Sequence, residues 1–182
     1  IQQDEIEIAD CSLLSFNIDE ISLKIGLRFL YTAMGKDVRG DILELMPLIQ
    51  GDIATTIAVS QLIVEYLETN DTIVLPPSID AIVLQNVLQW LYSEHFDIRW
   101  NATRILLALS RNKDNQGVIN HQLITLIDSN SAYIKNLIMR QLHKINGITD
   151  STKKYIISKC KQNANFVVRK VCAEVEENQS NQ

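Results

Sequence analysis

Three stretches decide the fold: Asp97-Ile98-Arg99-Trp100-Asn101-Ala102, Ala132-Tyr133-Ile134-Lys135-Asn136-Leu137 and Asn165-Phe166-Val167-Val168-Arg169-Lys170. Each sets a β-branched residue directly before a basic one, at the head of an apolar run of helical period. From Arg99 to Lys135 is 36 positions, and from Lys135 to Arg169 is 34. A recurrence of that length, holding two helical segments per period, is the signature of a helical hairpin repeat.

Working outward, the same period of about 3.6 runs through the chain and is broken only at short intervals. Ile18, Ile21, Ile25, Phe29 and Ala33 line one helix, with Asn17 and Glu20 as a capping box and Gly35 as its stop. Further helices are expected over 41–50, 53–68, 78–92, 97–111, 117–127, 132–145, 150–161 and 166–175, with Ser78 and Asp97 as caps. In the helix over 97–111, Ile98, Ala102, Ile105, Leu106 and Leu109 face inward. Short connections make neighbouring helices antiparallel.

Composition agrees with this reading. Only 6 Gly and 3 Pro occur in 182 residues, which argues against a loop-rich or all-β chain. No apolar run approaches the roughly 18–20 residues that span a bilayer, so no membrane partner is expected. Cys11, Cys160 and Cys172 are odd in number and show no CxxC spacing, so neither a zinc site nor a disulfide framework is indicated. Cys160 and Cys172 fall on apolar helical stripes, where buried free thiols and a reducing, cytoplasmic setting are expected.

The repeats resemble the HEAT family. Its units carry an acidic residue in the turn, then Val-Arg at the head of the second helix, then small and apolar residues. Asp97-Ile98-Arg99 followed by Ala102 matches that pattern. Val168-Arg169 followed by Cys172 matches with Asn163 and Asn165 in place of the acid, and Ile134-Lys135 matches with Lys for Arg. Leu45-Met46-Pro47-Leu48-Ile49 before Asp52 is similar to the proline-bearing first helix of the family. Leu23-Lys24 is a weaker match, and Ile53-Ala54 lacks the basic residue.

The resemblance implies an all-α fold, a right-handed α-α superhelix of about four to five hairpins. Residues 1–77 would be irregular, acidic hairpins, 78–177 regular repeats, and 178–182 a polar disordered tail. The first helix has no hairpin partner unless residues 4–14 supply one. A fragment of a longer protein, its missing part N-terminal, is therefore expected.

The resemblance also divides the candidate residues. Arg99, Lys135 and Arg169, with Asp97, would form a structural ladder near the turns, bonding turn carbonyls and acidic side chains of adjacent repeats. The second helices would line the concave face. Aligned on the ladder, Trp100, Asn136 and Lys170 share one column, Arg104, Arg140 and Glu174 another, and Leu107, His143 and Glu177 a third. Trp100 and Arg104 lie four apart on one helix face. Trp100 can be a binding hot spot or pack between repeats, and the residues alone leave both open.

Charge separates the two halves. Residues 1–90 carry 14 acidic and 4 basic side chains, whereas residues 91–182 carry 8 acidic and 13 basic. The chain is thus a dipolar rod. Its basic half can attract an acidic peptide segment, nucleic-acid phosphate, or the acidic end of a second copy in weak head-to-tail association.

Catalytic signatures are absent. His95, His121 and His143 have no ligand partners at metal-binding spacing, and neither HExxH, GxGxxG nor a nucleophile elbow occurs. No cofactor is expected. Trp100, Arg104 and Arg140 are faintly similar to the basic groove of helical-repeat alkylpurine DNA glycosylases, but acidic residues 1–90 argue against such a groove. The leading expectation is a non-enzymatic protein-interaction scaffold or regulatory module using Trp100, Arg104, Asn136, Arg140, His143 and Lys170. Nucleic-acid binding through 99–170, or service as a sensor or arm of a larger signalling ATPase, are the alternatives.

Overall fold

The computed structural model describes residues 53–69 and 74–180. The helices expected over 18–34 and 41–50, the cap formed by Asn17 and Glu20, and Cys11 lie outside the described residues. Within them the chain forms seven α-helices and no strand: α1 (Ile53–Thr69), α2 (Pro77–Trp90), α3 (Phe96–Leu109), α4 (Gln116–Ser129), α5 (Ala132–Gln141), α6 (Asp150–Lys161) and α7 (Phe166–Ser180). A single 3₁₀ turn, Lys113–Asn115, precedes α4.

Local chemistry sets most boundaries. Helix α2 starts at Pro77 with Pro76 as its cap residue, two positions ahead of the expected Ser78 cap. Proline at the first helical position loses no hydrogen bond and brings a helical φ, so the proline pair starts the helix by itself. Helix α3 starts at Phe96, with His95 in the cap position. Asp97 is therefore not the cap but an exposed residue of the first turn, where its carboxylate meets the positive end of the helix dipole. Ser131 and Thr149 do cap α5 and α6, accepting from the backbone N–H of Ile134 and Thr152.

Two helices end sooner than the periodicity suggests. After Leu109 the backbone tightens: Ser110, Arg111 and Asn112 each donate to the carbonyl three residues back. Helix α5 stops at Gln141, four residues short of Ile145, where Leu142 and Lys144 bond in the same tight pattern. Gly147, with φ 66°, then turns the chain towards α6. At the other extreme α7 runs to Ser180, past the expected end at Val175.

Packing arranges the helices in two rows. Helix α3 lies against α1, α5 against α3, and α7 against α5. Helices α2, α4 and α6 pack against α3, α5 and α7 respectively, and α4 also packs against α6. Bonds between Asn101 and Ser60 and between Arg111 and the Leu67 carbonyl advance together along the chain, so α1 and α3 run in the same direction. The core is one continuous cluster from Val59 to Cys172. All five side chains expected to point inward from α3 are buried, with Ala102, Ile105 and Leu106 at 0% exposure.

Candidate functional site

The ladder comes first, because its geometry fixes the turns. Arg99 Nη1 donates to the carbonyls of Ser93 (2.6 Å) and Glu94 (2.8 Å). Arg169 Nη1 donates to those of Asn163 (2.7 Å) and Ala164 (2.8 Å), the same offsets back along the chain. In both turns a side-chain oxygen, Ser93 Oγ or Asn163 Oδ1, accepts the N–H two residues on. The guanidinium carbons lie 5.9 Å from the Phe96 ring centroid and 5.8 Å from that of Phe166. These turns are therefore built alike.

Lys135 makes no such bond among the described residues. The connection before α5 is only Asn130 and Ser131, so Ser131 caps the helix directly. The acidic partners expected for the ladder are not found in the described residues either. Asp97 is exposed, and the ladder bonds run to carbonyls alone.

The second-helix column extends one unit further than the sequence alignment placed it. Glu68, Arg104, Arg140 and Glu174 stand at successive spacings of 36, 36 and 34 residues. Arg104 forks onto the Glu68 carboxylate, Nε donating to Oε1 at 2.8 Å and Nη2 to Oε2. Arg140 sits 3.6 Å from Glu174, with its side chain 62% exposed against 24% for Arg104. The two candidate cations thus differ: Arg104 is engaged in a bidentate pair, and Arg140 is loosely held.

Trp100 is found where its packing reading puts it. It is half-buried, packs against the core and stacks on Phe96 with centroids 5.9 Å apart. Asn136 is half-buried, and its Oδ1 has no partner. Lys170 is exposed and stands 4.0 Å from Glu174. His143 leaves the column: because α5 stops at Gln141, it falls in the following turn, exposed.

That early stop builds a feature the periodicity does not reveal. A cleft of about 510 Å³ opens between the C-terminal halves of α3 and α5, closed by the turn after α5 and by Glu68. Leu107, Ala108, Leu137 and Ile145 give it apolar walls, and among the described residues Arg104, Arg111, Lys144 and Glu68 are its charged lining. Arg111 is anchored, its Nη1 donating to the Leu67 carbonyl at 2.9 Å. Arg111 was not among the expected residues, although its seven-residue spacing from Arg104, two helical turns, was a signal for it. Lys144 had none, since its place depends on where α5 ends.

The thiols are not poised for chemistry. Cys160 and Cys172 are both free and fully buried. Burial pushes the Cys160 thiol up to about 11, with the Cys172 charge adding to it and Lys135 opposing. Burial likewise raises Cys172, and Glu176 reinforces the shift. Such groups stay protonated and unreactive. Among the described residues no cluster of His, Cys, Asp and Glu could hold a metal ion, and no helix is long and apolar enough to cross a membrane. No protein-family model, curated protein or solved structure matches the chain.

Proposed function

We propose that the chain is a HEAT-like helical solenoid that serves as a non-enzymatic protein-binding module, with its row of second helices gripping an acidic, amphipathic segment. The observation that carries this reading is the cleft between α3 and α5, apolar in its walls, with the exposed Lys144 at its rim and the partnered Arg104 and Arg111 in its lining. An amphipathic segment seats its apolar side chains against Leu107, Leu137 and Ile145, and a carboxylate reaches Lys144 at the rim. The architecture is supported by the two rows of helices and by the turns before α3 and α7, which share four interactions. The buried thiols fit a reducing compartment such as the cytoplasm.

The test is a titration with a synthetic peptide of alternating Glu and Leu, at low and at physiological salt. Saturable binding that weakens with salt is expected. Charge reversal at the exposed cleft residue, Lys144→Glu, should weaken it about threefold to tenfold. Equal affinity in parent and variant would remove the cleft from consideration. Tight binding of random duplex DNA, with no binding of the peptide, would transfer the basic half to nucleic acid instead.

A further inference from the structure

The opposite ends of the same helices carry apolar side chains that packing leaves outside. Phe96 is 39% exposed, Tyr133 70%, Phe166 67% and Val167 52%. All lie in the first turn of α3, α5 or α7. The Phe96 ring meets Tyr133 edge-on, with centroids 6.0 Å apart, so α3 and α5 start side by side. Arg140 and Glu174 meet at equal depths in α5 and α7, so α7 starts beside α5 as well. The three helix starts thus form one edge in the order α3, α5, α7, with Tyr133 at its middle. Exposed apolar residues in series mark a contact surface.

Charge on this edge changes sign from one end to the other. At the α3 end Glu94 and Asp97 are exposed. Arg99 is the cation there, half-buried and held on the carbonyls of Ser93 and Glu94. With His95 neutral, two acids stand against one cation. At the α7 end Arg169 and Lys170 are both exposed, and neither the preceding turn nor the first turn of the helix holds an acid. Glu174, one turn further on, lies 4.0 Å from Lys170 and is shared with Arg140. At the centre Lys135 is half-buried, and the nearby Asp128 and Lys159 pair with each other at 3.6 Å.

An edge that is acidic at one end, apolar along its length and basic at the other is complementary to itself. A half-turn about an axis through Tyr133 sets the α3 end of one copy against the α7 end of the other. Phe96 then faces Phe166 of the second copy, and Tyr133 faces its own equivalent. Glu94 and Asp97 of each copy meet Arg169 and Lys170 of the other. Every contact occurs twice or lies on the axis, as a closed two-fold pair requires. A polyanion is repelled at the α3 end and a polycation at the α7 end, so a ligand of one sign matches only part of the edge.

We propose that this edge is a homodimer interface, on which a second copy of the chain docks in reversed order across Tyr133. The cleft lies at the other end of these helices, among the C-terminal halves of α3 and α5, and the inference stands independently of it.

Sedimentation velocity of the full chain tests it. A strip of three helix ends is smaller than the interface of a tight complex, so a monomer–dimer equilibrium is expected between about 10 μM and 1 mM. The dimer should weaken as salt is raised. Tyr133→Ala, placed on the axis, should weaken it about tenfold or more, with unchanged circular dichroism and an unchanged urea midpoint in dilute solution. Charge exchange separates two-fold docking from any other. Glu94→Lys with Asp97→Lys makes both ends of the edge basic, and Val167→Glu with Lys170→Glu makes both acidic. Each double variant alone should stay monomeric where the parent dimerises, and an equimolar mixture of the two should regain the dimer. A parent that is monomeric at millimolar concentration overturns the proposal. So do double variants that dimerise like the parent, or a mixture that stays monomeric. Growth beyond the dimer overturns it too, because head-to-tail contacts do not close on themselves.

Discussion

Asp80 shows how much of the architecture rests on single polar groups. It is only 3% exposed, and its Oδ2 accepts from the side-chain amides of Asn115 (2.7 Å) and Asn112 (3.1 Å). The carboxylate thereby ties the first turn of α2 to the 3₁₀ turn before α4. Asp80→Ala leaves both amides without their acceptor, and a loss of about 1–3 kcal/mol is expected, read as a lower urea midpoint. A midpoint equal to that of the parent would show that water replaces the carboxylate. Gly147 is the second such position. A Cβ there would stand 1.8 Å from Gln116 Cδ, at a φ of +66° that L-residues seldom adopt. Gly147→Ala should cost about 1–3 kcal/mol. Adding Gln116→Ala should recover the steric share and leave the conformational one. Neither residue stands out in the sequence, because Asp80 meets its partners 32 and 35 positions away and Gly147 is judged by a side chain from another helix.

Between elements, the ladder turns a repeated sequence into repeated geometry. Arg99 and Arg169 each clamp two carbonyls of the turn before their own helix, whereas Lys135 follows a two-residue connection that offers no such clamp. Arg99→Ala should therefore lower stability by roughly 1–2 kcal/mol, and Lys135→Ala by much less, in equilibrium urea unfolding. Equal effects would mean that the clamp contributes nothing. This part was legible: the residue type, its spacing and its carbonyl partners follow from the motif. The helix ends were not, since Pro77 overrides the Ser78 cap and the tightened turn after Gln141 depends on tertiary packing. The pair α6 and α7 adds a pH-dependent element. Cys172 Sγ lies 3.7 Å from the Ile157 carbonyl, and burial lifts both thiols above their ordinary range. A raised pKa in the fold means that stability is fully present below the ordinary thiol range and is lost as pH rises through the folded value. Parent protein should thus lose stability more steeply than Cys160→Ala between pH 9 and about 11. In a Cys11→Ser background, iodoacetamide should label neither remaining thiol at neutral pH until the chain unfolds.

Across the described residues, α1, α3, α5 and α7 pack each on the next around one continuous apolar cluster. In the proposed solenoid, stability is a sum of unit and neighbour terms, so the units need not open together. Helix α3 is held on three sides, by α1, α2 and α5, and contributes a full stripe of buried side chains. Helices α6 and α7 pack on α4, α5 and each other, and present Lys154, Ser158, Lys170, Ala173 and Glu177 to solvent. Their salt bridges, Lys161 to Glu176 and Lys159 to Asp128, are exposed and contribute little. Amide hydrogen exchange should therefore fall off along the stack: α6 and α7 exchange through sub-global opening, while α3 is protected up to the stability of the whole. Leu106→Ala, which empties part of that central stripe at a cost of about 2–5 kcal/mol, should lower protection in every helix. Val171→Ala should lower it in α6 and α7 and leave α3 nearly unchanged. If both variants lowered protection uniformly, the helices would form one cooperative bundle, and the nearest-neighbour stack would have to be abandoned along with the extended binding face that depends on it.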